Sequence, residues 1–316
     1  METIARNRME WPEHRVPIAE IGDKQVGPIA TCGTVVLLAD GGVWAGTLTL
    51  GASTVTLAGP SRTFAEETTP HTVSHSTWVR TLPAPFDGEV DLAWLAEALT
   101  ANETGVPDIL TLAMQYTHGA PAIFDGNMQI AGESAYGPTK DGKRQEGSDF
   151  SDYLGVTWNY PGGISDPPEH GQFRCLDCSG FIRMIWGFRH SLEGRGHVDC
   201  IPLGLAPSPD RSAIPRRANE IYGSSPGVIV IENAGSPVED AALLGAGDLV
   251  FFDADEEDGP RLDHVGMYLG LDDGENARFI SSRKTRNGPT LGDVAGASIL
   301  NGNGLYARSF RAARRF

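Results

Sequence analysis

The stretch Arg174-Cys175-Leu176-Asp177-Cys178-Ser179-Gly180-Phe181-Ile182-Arg183 carries a residue type that does covalent chemistry, at a point where a loop gives way to an apolar run. Phe181, Ile182 and Ile185 follow Cys178 at helical spacing, which predicts an amphipathic helix starting at the cysteine. Asp177, just ahead, is an N-cap residue type. A thiol in that position lies beside unpaired backbone N–H groups at the positive end of the helix dipole, where a thiolate is stabilised and the thiol pKa falls. A nucleophile of this kind needs a proton acceptor from elsewhere in the chain. The best-placed acceptor is His264, in Asp263-His264-Val265-Gly266-Met267-Tyr268-Leu269-Gly270. With Gly247-Asp248-Leu249-Val250-Phe251-Phe252, that segment reads as two strands joined by an acidic loop. Taken alone, a cysteine at a helix start is more often a buried, inert residue. A lone histidine on an apolar strand is more often a satisfied core residue. Their occurrence together with the flanking blocks shifts the balance towards a catalytic pair.

The three blocks, Asp-Cys-Ser-Gly-Phe at 177–181, Gly-Asp-Leu-Val-Phe-Phe at 247–252 and His-Val-Gly-Met-Tyr-Leu-Gly at 264–270, occur in the order found in the NlpC/P60 cysteine peptidases and resemble that family. These are papain-like hydrolases that cut peptides of bacterial cell walls. The resemblance covers about residues 107–285, with long unmatched stretches inside it. It implies an α+β fold, with helices packed on an antiparallel sheet in a papain-like catalytic domain. It assigns Cys178 as nucleophile and His264 as base. The family's third residue, a polar group at the end of the next strand, falls on Ser281 of Ala277-Arg278-Phe279-Ile280-Ser281. A serine hydroxyl orients an imidazole but cannot stabilise its cation as a carboxylate does. Asp177 and Ser179 flank the nucleophile in the implied cleft. The family's Gly-x-Pro-Tyr turn reads Gly119-Ala120-Pro121-Ala122 here, without the tyrosine. The stretch from Gly155 to Gly163 supplies either Tyr160 in its place or Trp158. The implied partner is a peptide or muropeptide, cut at a peptide or isopeptide bond next to a D-amino acid, with no cofactor and no metal. Two alternatives stay open: an amidase or acyltransferase working through the same thioester, and a binding protein whose site has degenerated.

Composition narrows the function classes. A formal net charge of −16 argues against nucleic acid as the main partner, since phosphate binding needs clustered cations. The basic tail of Arg308, Arg311, Arg314 and Arg315 reads as a solvated or helix-ending terminus, ahead of contact with an anionic polymer. No apolar run approaches the ~18 residues of a membrane span. Residues 1–11 show neither an apolar core nor a small-residue cleavage site, so no secretory signal is visible. The family is usually exported; a leader removed from this version of the chain, non-classical export and a place in the bacterial cytoplasm all stay open. Cys32, Cys175, Cys178 and Cys200 are too scattered for a disulfide framework. Cys175 and Cys178 form a Cys-x-x-Cys pair, but the second pair or two nearby histidines of a zinc site are matched only loosely by His197 and Cys200. The acidic loop 253–259 fits a solvated hairpin tip better than a calcium site, because its glycine and a late glutamate are misplaced for an EF-hand.

The remaining chain is organised as a lead-in with a small β-rich domain, 1–88, and a catalytic domain, 89–316, carrying long insertions at about 123–170 and 193–245. Thr34–Leu38 and Val43–Leu50 flank an Asp40-Gly41 hairpin turn, and Thr54–Leu57 and Thr72–Arg80 add strands. By analogy with wall hydrolases such a module is SH3-like and binds polymer; a β-appendage that only packs on the catalytic domain is the alternative. Trp44 and Trp78 read as core rather than ligand-stacking rings. Helices are expected over Asp91–Leu99 and Pro107–Tyr116, with a short one at Arg216–Tyr222 and a strand at Val228–Ile231. Residues 123–170 read as irregular, serving either as a lid or as surface decoration. Late strands are expected at Ser298–Leu300 and Tyr306–Phe310. His75 and His118 are the other histidines weighed as bases, and both read as structural.

Overall fold

The computed structural model describes residues 33–39, 43–190, 201–255 and 259–316, and in them a four-stranded and a six-stranded antiparallel sheet, three two-stranded hairpins and the helices around them. The expected lead-in, the Asp40-Gly41 turn, Cys32, His197 and Cys200 lie outside the described residues, as do 256–258 of the acidic loop.

The first sheet is a meander of β1 (Thr34–Ala39), β2 (Val43–Thr49), β3 (Thr54–Phe64) and β4 (Val73–Thr81). Alternation on β3 turns Val55 and Leu57 to one face. There they meet Leu37, Leu48 and the buried Trp94, Leu95 and Ala98 of α1 (Leu92–Glu103). Asp91 caps α1 by accepting the Ala93 and Trp94 N–H groups. Trp78 is in the core, and Arg62 stacks on its ring at 3.9 Å. Asp108 caps α2 (Ile109–Met114) through the Thr111 N–H and also takes the Val79 N–H and both terminal nitrogens of Arg62, so one buried carboxylate ties the meander to the helix.

The stretch 123–170, expected to be irregular, holds three short hairpins and a helix. β5 (Ile123–Asp125) pairs with β6 (Met128–Ala131), β7 (Thr139–Lys140) with β8 (Lys143–Arg144), and β9 (Trp158–Tyr160) with β10 (Ile164–Asp166). Between them, α3 (Phe150–Leu154) carries a capping box of Asp149 and Asp152 and ends on left-handed Gly155. Gly126 and Gly142, both at positive φ, supply hairpin turns that strand periodicity does not reveal.

After α4 (Cys178–Trp186) and α5 (Ala218–Ser224) comes the second sheet. Its strands are β11 (Val228–Ile231), β12 (Leu249–Phe252), β13 (His264–Leu271), β14 (Ala277–Arg283), β15 (Gly288–Thr290) and, beyond α6 (Leu305–Ser309), β16 (Phe310–Arg315). The spatial order is β11-β16-β12-β13-β14-β15, antiparallel throughout. Leu249, Phe251, Val265, Met267 and Ile280 share a core with α4, whereas Val250, Phe252, Tyr268 and Phe279 cluster with Tyr306 and Phe310.

Three expectations near the C-terminus are corrected. Tyr306–Phe310 is α6 and the start of β16 rather than a strand of its own; Gly304 begins the helix and the Ser309 hydroxyl bonds back to the Leu305 carbonyl. Ser298–Leu300 contributes only a bridge, Ile299 to Arg278. Of the basic tail, Arg311, Arg314 and Arg315 lie in β16, an interior strand between β11 and β12, rather than in a solvated terminus, whereas Arg308 is exposed in the last turn of α6, a helix-ending position. Hydrogen bonds offset much of the burial of β16: Arg314 donates from Nε and Nη1 to the carbonyls of Tyr222, Ser225, Pro226 and Gly227, leaving Nη2 without a partner, and Arg315 forks onto Asp248. β16 also joins the two sheets, through Arg315 to the Thr49 hydroxyl and through the Phe316 carbonyl to the Thr54 hydroxyl. Among the described residues no helix is long and apolar enough to cross a membrane.

Removing the Asp108 carboxylate leaves Arg62 and the Val79 N–H without their partner. Asp108→Ala is expected to lower unfolding stability by about 3–5 kcal/mol, measured by urea denaturation.

Candidate active site

The position of Cys178 is set by the turn in front of it. Arg174 adopts φ +61°, and its guanidinium is held by the carbonyls of Tyr153 (2.7 Å) and Gln129 (3.1 Å). From that turn Leu176 donates to the Ala135 carbonyl and Asp177 to the Ser148 carbonyl. Asp177 then caps α4, accepting the Gly180 N–H at 2.8 Å and the Gly147 N–H at 3.0 Å. Gly180 is needed for close approach: a Cβ there would stand 2.2 Å from the Ser148 carbonyl oxygen. The helix expected to be amphipathic is buried on every side. Its one cation, Arg183, reaches Asp149, the carbonyls of Gly204 and Ile214, and the Tyr160 hydroxyl.

Cys178 abuts β13 at the residue that bears the imidazole. Its Sγ lies 4.0 Å from the Asp263 carbonyl oxygen and takes the Val265 N–H, the two backbone groups on either side of His264. Gly266 permits β14 to approach here, since a Cβ would meet the Ile280 carbonyl at 2.8 Å. The His264 ring packs against Phe252 and Tyr306, each at 5.7 Å between centroids, and its Nε2 is buried with no hydrogen-bond partner. Among the described residues no hydrogen bond joins the thiol to the imidazole. Both residues line a cleft of about 810 Å³ together with Tyr136, Asp177, Ser179 and Arg216.

The remaining predicted residues fall in different places. Asp177 and Ser179 are in the cleft wall beside the cysteine. Ser281 is fully buried, and its hydroxyl accepts from Arg283 Nε at 3.0 Å; it makes no hydrogen bond with His264. Carrying on the register that pairs Met267 with Ile280 sets Arg283, not Ser281, opposite His264. Asp263 turns its carboxylate to the Ala254 and Asp255 N–H groups, as strand alternation leads one to expect. Tyr160 and Trp158 both lie outside the cleft, Tyr160 on Arg183 and Trp158 against Phe150 and Phe188. The tyrosine on the nucleophile's side is Tyr136, buried, with its hydroxyl 3.4 Å from Glu146. The signal for it in the sequence was Tyr136-Gly137-Pro138, an aromatic at a Gly-Pro turn 42 residues before the nucleophile. His75, bonded to the Leu269 carbonyl, and His118, paired with Glu133, are remote from the cleft lining.

Electrostatics reverse one expectation. The thiol pKa was to fall at the helix start; instead burial, and then the Asp177 charge, push it up to about 12. Burial, and then Arg283, bring His264 down to about 3. The pair therefore rests as neutral thiol and neutral imidazole. Burial also holds the Tyr136 phenol well above its usual range, so it stays a protonated donor.

The metal-ligand types that come together, His71, Asp272 and Asp273, lie outside this cleft. Asp272 is already engaged by Arg278 and by the Gly274 and Asn276 N–H groups. Cys175 and Cys178 are free thiols.

No family model matches the sequence, and comparison with curated proteins finds no match. Structural neighbours include an NlpC/P60 family protein from Bacillus cereus, 24% identical, with 52% of this chain and 38% of that one covered at a TM-score of 0.27. Another is NlpC1 from Trichomonas vaginalis, 19% identical, covering 55% of this chain and 46% of that one at a TM-score of 0.28. The match spans less than half the length of either neighbour.

Because His264 is buried neutral, unfolded chain binds its proton more readily than folded chain between pH 6.5 and about 3. Its contribution to stability is intact above 6.5 and is lost as pH falls through that window, so His264→Gln is expected to flatten the acid limb of a melting-temperature profile. The raised thiol predicts alkylation of Cys178 by iodoacetamide far slower at pH 8 than for a free cysteine, rising towards pH 12.

Proposed function

We propose that this protein is a papain-like cysteine peptidase related to the NlpC/P60 enzymes, hydrolysing peptide or isopeptide bonds, with peptidoglycan stem peptides as substrate. The observation that carries the reading is the seating of Cys178 Sγ at a capped helix start, against the backbone on both sides of His264, in a cleft they share. In this mechanism His264 takes the thiol proton as the sulfur attacks the amide carbonyl, and returns it to the leaving amine. Water then cleaves the thioester with the same imidazole as base. A neutral resting pair suits proton transfer concerted with attack rather than a preformed ion pair. The Cys178 backbone N–H and the protonated Tyr136 hydroxyl are the oxyanion donors, in the role first sought for Tyr160. Arg217 and Arg261 on the cleft wall favour a substrate that carries carboxylates, as stem peptides do. The meander within 1–88 is the polymer-binding module of this reading, SH3-like in role, beside a catalytic unit over 89–316.

A second reading, a binding protein with a degenerate site, is favoured by the capture of Ser281 by Arg283 and by the unpartnered His264 Nε2. Digestion of purified muropeptides, with products weighed by mass spectrometry, separates the two. The peptidase reading expects cleavage that Cys178→Ala abolishes and His264→Ala lowers by about 10²–10⁴-fold. Tyr136→Phe is expected to lower turnover by about 10²-fold with little change in KM. Binding without cleavage, with Cys178→Ala binding as well as the parent, supports the second reading. Acyl transfer to an added amine in place of hydrolysis moves the assignment to an acyltransferase.

A further inference from the structure

The insertion after α4 returns one side chain to the nucleophile. Arg216 donates from Nη2 to Asp177 Oδ2 at 2.7 Å, and from Nη1 to Asp177 Oδ1 at 3.2 Å and the Ser179 hydroxyl at 2.6 Å. Ser179 Oγ in turn donates to Asp177 Oδ1, closing a ring around the residues on either side of Cys178. Arg216 Nε stands 3.6 Å from Asp149, which also holds Arg183 of α4. Arg216 forms part of the cleft wall. Asp177 is buried, so without a cation its charge would face the sulfur unopposed.

We infer that Arg216 is a positioning residue for Cys178: it clamps Asp177 and Ser179 and cancels the carboxylate charge next to the sulfur, so that negative charge developing on the sulfur meets no unpaired carboxylate. The inference deepens the proposed function and rests on Cys178 as its nucleophile. Other charged and titratable groups face the sulfur. From the facing strands come Asp263, His264, Arg283 and Lys284; from the loops and α6 come Glu146, Tyr136 and Tyr306. Glu146 is matched by Lys284 at 2.6 Å, while Asp263 is spent on backbone N–H groups. Arg216 is therefore the cation matched to the carboxylate adjoining the cysteine. Arginine is the residue suited to this task, because its planar fork bridges both carboxylate oxygens and the hydroxyl at once.

The test is iodoacetamide alkylation of Cys178 at several pH values between about 7 and 10, read peptide by peptide in a mass spectrometer so that other cysteines are separated. Arg216→Gln is expected to react about tenfold more slowly at every pH, the effect of a one-unit rise in thiol pKa. Arg216→Lys, which keeps the charge without the fork, should recover most of that loss. The double variant Asp177→Asn/Arg216→Gln, which removes both charges, should react at the parent rate or faster. A folded Arg216→Gln that reacts like the parent overturns the inference, as does a double variant as slow as the single. If Arg216→Gln fails to fold, the double variant and Arg216→Lys carry the decision by the same criteria. A parent protein that cleaves no muropeptide yet shows this alkylation series refutes the peptidase reading and leaves the role of Arg216 standing.

Discussion

A carboxylate taken out of water and answered from three directions underlies the site. Asp177 is buried at the start of α4 and receives the Gly180 N–H of its own helix, the Gly147 N–H of the preceding insertion and the Arg216 fork of the following one. A buried charge with incomplete partners would cost several kcal/mol, so all three segments are obliged to meet there. That requirement sets the first turn of α4, and with it the direction in which Cys178 points. The close approach of Gly180 to the Ser148 carbonyl serves the same junction, since any side chain would hold the 147–149 loop away from the cap.

Burial then decides the protonation of the pair. A helix N-terminus favours an anion by about 0.3–1 kcal/mol where solvent screens it. Removing a thiolate from water and setting it beside Asp177 works in the opposite direction, and its effect is larger. On the strand side, Phe252 and Tyr306 wall in the imidazole while Arg283 opposes its protonation. Each partner is thereby kept neutral for its own reason.

The insertions replace solvent around α4. Arg183, which on an isolated amphipathic helix would face water, is enclosed by Asp149 and Tyr160 from one insertion and by the Gly204 and Ile214 carbonyls from the other. Both insertions are thus part of the packing that holds the nucleophile. The N-terminal meander is joined to the same body through β16, whose arginines bond Asp248 in one direction and Thr49 in the other.

Much of the site could be read in the chain itself. A cap residue before an apolar run placed Cys178 on the first turn of a helix, and apolar runs bounded by glycine placed β12 and β13. These follow from local rules, 3.6-residue and two-residue periodicity and the need to satisfy N–H groups at a helix start, which involve only neighbours along the chain. Tyr160 was expected at the cleft, which Tyr136 lines instead, because which loop reaches the cleft depends on contacts distant in sequence. The basic tail was misread because arginine marks a surface unless backbone carbonyls from another segment surround it, as those of residues 222–227 surround Arg314. Sequence alone thus determined the helix that begins at Cys178 and the strand that begins at His264. Tertiary structure alone decided the partners of Asp177, the neutrality of the thiol and imidazole, and the identity of the cleft tyrosine, because burial and charge are sums over residues that meet only when the chain is folded.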